Sequence, residues 1–134
     1  MELPSINYLA VLVAALSTFL IGGLWYSPVL FGKIWQQDVG LSDEELKKGN
    51  PAKIFGGAFV LGLIMSFNLA AFLGSEPDLM WGIVAGLLAG AGWIAAAMGV
   101  TYLFERRSMR FFLINAGYHV VSFVVMGAIL GVWK

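Results

Sequence analysis

Residues 79–104 read LMWGIVAGLLAGAGWIAAAMGVTYLF. No Lys, Arg, Asp or Glu interrupts the stretch, and it exceeds the ~20 residues with which an α-helix crosses ~30 Å of hydrocarbon. Three further runs share both properties: Ile6–Tyr26, Ile54–Leu73 and Phe111–Trp133. Of the 134 residues, 60% are hydrophobic and 12% charged, and that charged share is roughly half of what a soluble domain carries. The runs leave no room for a sizeable soluble domain. The expectation is an all-α chain, one domain over residues 1–134, folded as an integral membrane bundle of four transmembrane helices.

Composition excludes several classes of function. The formal net charge is zero, so no basic field points to nucleic acid. There is no cysteine, which removes disulfides, thiolate metal sites and thiol catalysis. No Gly-rich phosphate loop, His-rich metal motif or lipidated C-terminus is present. No metal or cofactor is expected. The opening Met1-Glu2 lacks a basic region and the first run is too long for a signal core, which argues against a cleaved leader.

The basic residues fall in a pattern. Lys33, Lys47, Lys48 and Lys53 separate the first two runs, and Arg106, Arg107 and Arg110 separate the last two. The turn Gly74-Ser75-Glu76-Pro77-Asp78 has none, and only Lys134 shares its side. By the positive-inside rule the two basic loops are cytoplasmic, and both termini and the acidic turn face outward. Trp25, Tyr26, Trp81, Tyr102, Phe104 and Trp133 stand near span ends, where amphipathic rings favour the headgroup level.

The first loop carries structure of its own. Pro28 ends the first helix, because the residue before a proline is pushed out of the α region. In Val29–Val39, Phe31, Ile34 and Trp35 fall at helical spacing with Lys33, Gln36 and Gln37 opposite, which predicts a short interfacial helix weakened by Gly32. Ser42 with Glu45 three residues on reads as a capping box, with Leu41 and Leu46 as a staple, and Gly49 and Pro51 as stops. This predicts a capped helix, either without chemistry or serving as a docking surface.

Without a hydrophobic drive between helices in lipid, small residues mark close packing. Gly82, Gly86 and Gly90 repeat every four residues in the third span, Ala10, Ala14, Thr18 and Gly22 in the first, and Gly127 and Gly131 in the fourth. They serve contacts within the bundle or a homo-oligomer seam along the third helix.

Polar residues inside the spans face the bundle or carry function. Asn115, Tyr118, His119 and Ser122 form the densest set. Asn115, His119 and Ser122 share one helix face, and Ser66, Asn68, Asn7, Ser17 and Thr18 are possible partners. The readings are interhelical hydrogen bonding, a pocket for a small ligand or permeating species, and proton relay through His119, the lone histidine. A metal or haem would need several chains. Ser122–His119 hydrolysis lacks a buried carboxylate to orient the imidazole. The missing intramembrane carboxylate also disfavours proton-coupled export. A weak internal echo links Gly22-Gly23-Leu24-Trp25-Tyr26 to Gly99-Val100-Thr101-Tyr102.

Gly23-Leu24-Trp25-Tyr26-Ser27-Pro28 followed by Leu30-Phe31-Gly32-Lys33 and Trp35 resembles the first signature of a bacterial membrane family, domain of unknown function 1761. Tyr102-Leu103-Phe104-Glu105 and Ile114-Asn115-Ala116-Gly117-Tyr118-His119 are similar to its second. The resemblance spans the chain and implies a small bacterial inner-membrane protein, and it implies no activity. If the two signatures line one cavity, it opens toward the basic loops. The sequence favours a non-enzymatic protein that binds or passes a small solute, ion or lipid. The alternative is an accessory or scaffold protein working through helix and loop contacts, and a membrane-embedded enzyme comes third.

Overall fold

The computed structural model describes residues 4–133. Met1, Glu2 and Lys134, which bear on the leader and on the charge of the turn side, lie outside the described residues. The elements are α1 (Tyr8–Trp25), α2 (Gly32–Val39), α3 (Asp43–Lys47), α4 (Pro51–Leu73), α5 (Leu79–Ala89), a π-helical segment (Gly90–Ala95), α6 (Ala96–Glu105) and α7 (Met109–Val132). No strand occurs among the described residues. Four helices are long and apolar enough to span a bilayer: α1, α4, the continuous Leu79–Glu105 and α7.

Side-chain caps set most of the starts. Asn7 Oδ1 accepts from the Ala10 amide at 3.1 Å and Asp78 Oδ1 from Trp81 at 2.7 Å. Asn50 Oδ1 accepts from Ala52 and Lys53, and Pro51 follows as the first helical residue. A proline there loses no hydrogen bond, so it opens α4 as well as closing what precedes it. The second span therefore begins at Pro51 rather than Ile54. The fourth begins at Met109 rather than Phe111, because Ser108 Oγ accepts from the Phe111 amide at 3.1 Å.

α7 is the hub, packed most extensively on α5 and then on α1, while α4 leans chiefly on α1. The glycines explain the α5–α7 contact. A Cβ at Gly82 would strike the Gly127 carbonyl, one at Gly127 the Gly82 carbonyl, and one at Gly86 the Phe123 carbonyl, each carbonyl carbon lying 2.9 Å away. Gly131 meets Asp78, and Gly90 meets Val120 Cα at 3.1 Å. These glycine faces are occupied by contacts within the chain. On α1, Ala10 and Ala14 are fully buried and Thr18 nearly so.

The third span is not one regular helix. The π segment inserts an extra residue into the turn and rotates everything after it relative to α5. α5 buries Gly82, Ala85, Gly86 and Ala89, whereas α6 buries nothing. Beyond the π segment the helix diverges from α7.

The first loop folds back on the bundle. The Phe31 amide donates to Trp25 O at 3.0 Å, and the Leu30 and Gly32 amides donate to Ser27 O at 3.1 and 2.9 Å. A Cβ at Gly32 would run into the Tyr26 carbonyl oxygen and lie 2.9 Å from the Ser27 carbonyl carbon. The glycine that weakens the helix pattern is what allows this return. α2 begins at Gly32, shorter than Val29–Val39, and ends at Gly40 with φ 79°. α3 has five exposed residues. Ser42 Oγ caps the Glu45 amide, but the Glu45 carboxylate accepts from the Ser42 hydroxyl instead of reaching back to its amide. Leu41 and Leu46 are both exposed, so neither is buried as a staple.

Candidate functional site

At the end bearing the basic loops, residues of both signatures meet on α7. Trp25 Nε1 donates to Ile114 O at 2.8 Å. The Tyr26 hydroxyl donates to Asn115 Oδ1 at 2.7 Å, and Asn115 Nδ2 donates to the Tyr102 hydroxyl at 3.2 Å. The Tyr118 hydroxyl donates to Thr18 O at 2.9 Å. The two tyrosines that close the echoing stretches thus converge on one buried amide.

Aromatic packing seals this network. The Tyr26 ring meets Tyr118 edge-on at 5.4 Å and Trp35 at 5.6 Å, and Trp25 lies 5.0 Å from Phe31. Tyr102 lies 5.3 Å from Phe111, whose ring carries the Arg107 guanidinium at 5.1 Å. Gly117 leaves room for Trp25, since a Cβ there would sit 3.1 Å from the indole. Residues of the two signatures meet in a hydrogen-bonded knot. Pro28 and Lys33 border an open surface depression with Gln36, Gln37, Leu41 and Asp43.

α2 is tied to α7 by an ion pair that the sequence pattern did not suggest. Arg110 donates from Nε to Asp38 Oδ2 at 2.9 Å and from a terminal nitrogen to Oδ1. This bidentate hydrogen bond holds the Asp38 carboxyl below its usual range, against desolvation, with a lesser lowering from the cation's charge.

The remaining polar candidates do not form one site. Ser66 is fully buried and donates to Val11 O at 2.8 Å, which pins α4 to α1. Asn68 stands two residues on and is exposed, with Nδ2 bonded to Ile64 O at 2.7 Å. Ser122 is 2% exposed and its hydroxyl has no hydrogen-bond partner among the described residues. His119 is half-buried with its ring 5.0 Å from Tyr118 and takes no part in the knot. Asn7 lies at the far end and reaches Trp133 O at 3.3 Å.

Asn68 instead lines a groove of about 210 Å³ between α4 and the third span, with Met65, Phe72, Trp93, Ile94 and Phe123. Trp93 belongs to the π segment and is 64% exposed, although it sits mid-span, far from where interfacial anchoring would place it. Phe72 meets its edge at 5.8 Å. His119 is one turn from Phe123 on the same face of α7, toward the basic end.

This is a bundle of four long apolar helices with α7 as its hub, knotted at the basic-loop end and grooved laterally. Its sequence matches the family described as protein of unknown function (DUF1761) over residues 9–131, and the chain belongs to that family. No curated protein and no solved structure matches it.

Proposed function

We propose that the chain is a non-enzymatic bilayer protein that binds one membrane-dissolved amphiphile in the groove between α4 and the π segment. Its basic loops face the cytoplasm of a bacterial inner membrane. The carrying observation is the groove with Asn68 on its wall. Its walls are aliphatic and aromatic, which suits an apolar chain. Asn68 Nδ2 is engaged with Ile64 O, so Oδ1 remains to accept a hydrogen bond. Asn68 is five residues from the end of α4, about 7–8 Å below the helix terminus at 1.5 Å per residue. A hydroxyl just under the headgroup level, as in a lipid alcohol, suits that depth. Asn115 and Tyr118 on α7 are engaged with protein groups and are not left free to line a path for a hydrated solute.

Native mass spectrometry from lipid nanodiscs tests this. One discrete amphiphile per chain is expected, with retention reduced in Asn68→Leu and unchanged in Tyr8→Phe, which lies off the groove. Bulk lipid alone, equal in both variants, overturns the proposal.

A second reading rests on the basic-end half of α4. From Pro51 to Leu61 every residue except Phe59 is exposed, so no face of this half packs fully on the bundle. That arrangement supports a scaffold in which a helix of another protein covers it. Since the chain has no cysteine, a single Gly57→Cys label reports such contact by cross-linking.

A further inference from the structure

We propose that the corner between α6 and α7 is a site for one anionic phospholipid, its phosphate held by Arg106 and Arg107 and one acyl chain lying in the groove beneath them. This site is separate from the α4 groove and does not depend on it.

The first observation is a groove of about 180 Å³ lined by Gly99, Tyr102, Leu103, Met109 and Phe112, with Arg107 and Ser108 at its mouth. It exists because α6 leaves α7 after the π segment. Gly99 keeps it open, since a Cβ there would already touch the Phe112 ring at 3.3 Å. Its walls are almost wholly apolar and it runs inward from a span end, which matches the position of an acyl chain below its headgroup.

The second observation is charge. Three arginines cluster at this corner. Arg110 is neutralised by Asp38 through two hydrogen bonds. Arg107 meets Glu105 in a single long contact of 3.4 Å. The side chain of Arg106 takes part in neither ion pair. The corner therefore keeps a net positive charge at headgroup level, complementary to a phosphodiester. Ser108 Oγ accepts from the Phe111 amide and has its own proton left to donate.

The third observation is backbone strain. Arg106 has φ 59°, the one non-glycine residue with positive φ among the described residues. It caps α6 in a left-handed turn, with its amide on Leu103 O at 3.2 Å and that of Arg107 on Tyr102 O at 2.9 Å. Glycine is the favoured residue at such a cap. An arginine kept there at a conformational cost points to a use for its side chain.

Arg106→Gly makes the test clean, because it removes the charge while relieving the backbone. The purified protein is placed in nanodiscs of phosphatidylcholine containing phosphatidylglycerol, and the bound phospholipid is read by native mass spectrometry. The wild-type chain retains one phosphatidylglycerol in preference to phosphatidylcholine. Preference falls about fivefold in Arg106→Gly and about thirtyfold with Arg107→Gln added, from roughly 1 kcal/mol per interfacial cation. Gly99→Leu, which fills the groove, loses the lipid with the charges intact. Lys33→Gln, on α2, leaves retention unchanged. Equal preference in wild type and the double arginine variant overturns the proposal. So does displacement of the lipid by soluble glycerophosphate at equal concentration, which shows an anion site without a chain groove. Loss of this lipid with the α4 amphiphile retained, or the reverse, separates the two sites.

Discussion

Gly86→Ala adds one methyl group at a close backbone contact between α5 and α7. The added Cβ would lie 2.9 Å from the carbonyl carbon of Phe123 and 3.1 Å from Val124 Cα, and it would overlap the Phe123 carbonyl oxygen. Both partners are backbone, so no side chain can swing aside. Ordinary contact begins at 3.4 Å, and the axes of α5 and α7 must part by roughly half an ångström or more. A gap of that size forfeits about a quarter of the dispersion energy at each contact it opens. The α5–α7 interface is the most extensive in the chain, so the loss is shared along Gly82, Gly86, Gly127 and Gly131. Overpacking of this kind costs about 1–3 kcal/mol. Alanine's better helix propensity returns about 1 kcal/mol, which leaves a net destabilisation of up to about 2 kcal/mol. Gly57→Ala is the control, because nothing lies within 4 Å of its Cβ; it is expected to be neutral or stabilising by up to about 1 kcal/mol. Reversible unfolding in mixed micelles, followed by tryptophan fluorescence, measures the pair. Equal stability of the two variants refutes the argument that backbone contact between α5 and α7 holds the bundle.

Two further perturbations probe the basic end. Tyr26→Phe removes the donor to Asn115 Oδ1 and should destabilise by about 1 kcal/mol, between the ~0.6 kcal/mol average for intramembrane hydrogen bonds and the 1–3 kcal/mol of an orphaned buried acceptor. Unchanged unfolding would show that the amide finds another partner. The depressed Asp38 pKa means that the Asp38–Arg110 pair is fully present above the usual carboxylate range and is lost as pH falls through the lower folded value. Protection factors of the α2 amides, which remove the intrinsic pH dependence of exchange, should therefore fall below about pH 4, the ordinary carboxylate range. Asp38→Asn should show low protection at every pH, and a pH-dependent protection factor surviving in Asp38→Asn sinks this assignment.

Much of the architecture was legible in the sequence because the bilayer imposes it. Long charge-free runs admit only helices, and the four runs became the four long helices. The glycine spacing marked close approach, but spacing alone does not say which helix fills the stripe. The boundaries at Pro51 and Met109 were missed for a local reason. Asn50 and Ser108 are caps, and a cap joins its helix to polar residues that a hydropathy reading assigns to the loop. The π segment was invisible because Gly90-Ala91-Gly92 is compatible with either turn, and tertiary packing decides. Trp93 was the available signal, a tryptophan placed where no interface needs one. Helical spacing places the polar set of α7 on a face and so suggests one core. Spacing does not reveal partners: Asn115 was claimed by tyrosines from two other helices, and Asn68 faced away from Ser66.

The two grooves have one structural origin. Up to Ala89 the third span lies against α7 with backbone touching backbone. The extra residue of the π turn rotates α6 off that surface. One consequence is the gap beside Gly99 and Phe112, with Arg107 on its lining. The other is that Trp93, within the π turn itself, projects toward α4 and walls the second groove. A regular α-helix through Gly90–Ala95 would continue the glycine face against α7 and carry Trp93 elsewhere. The knot at Asn115 has the complementary role. Tyr102 is the point at which α6, having left α7, is tied back to it through the amide that Tyr26 also engages. The departure of α6 is thus bounded at both ends, by glycine contacts before the π turn and by a hydrogen bond one turn before the arginines. A helix fixed at two points and free between them can hold a groove open at a constant width, which a freely splayed helix cannot do.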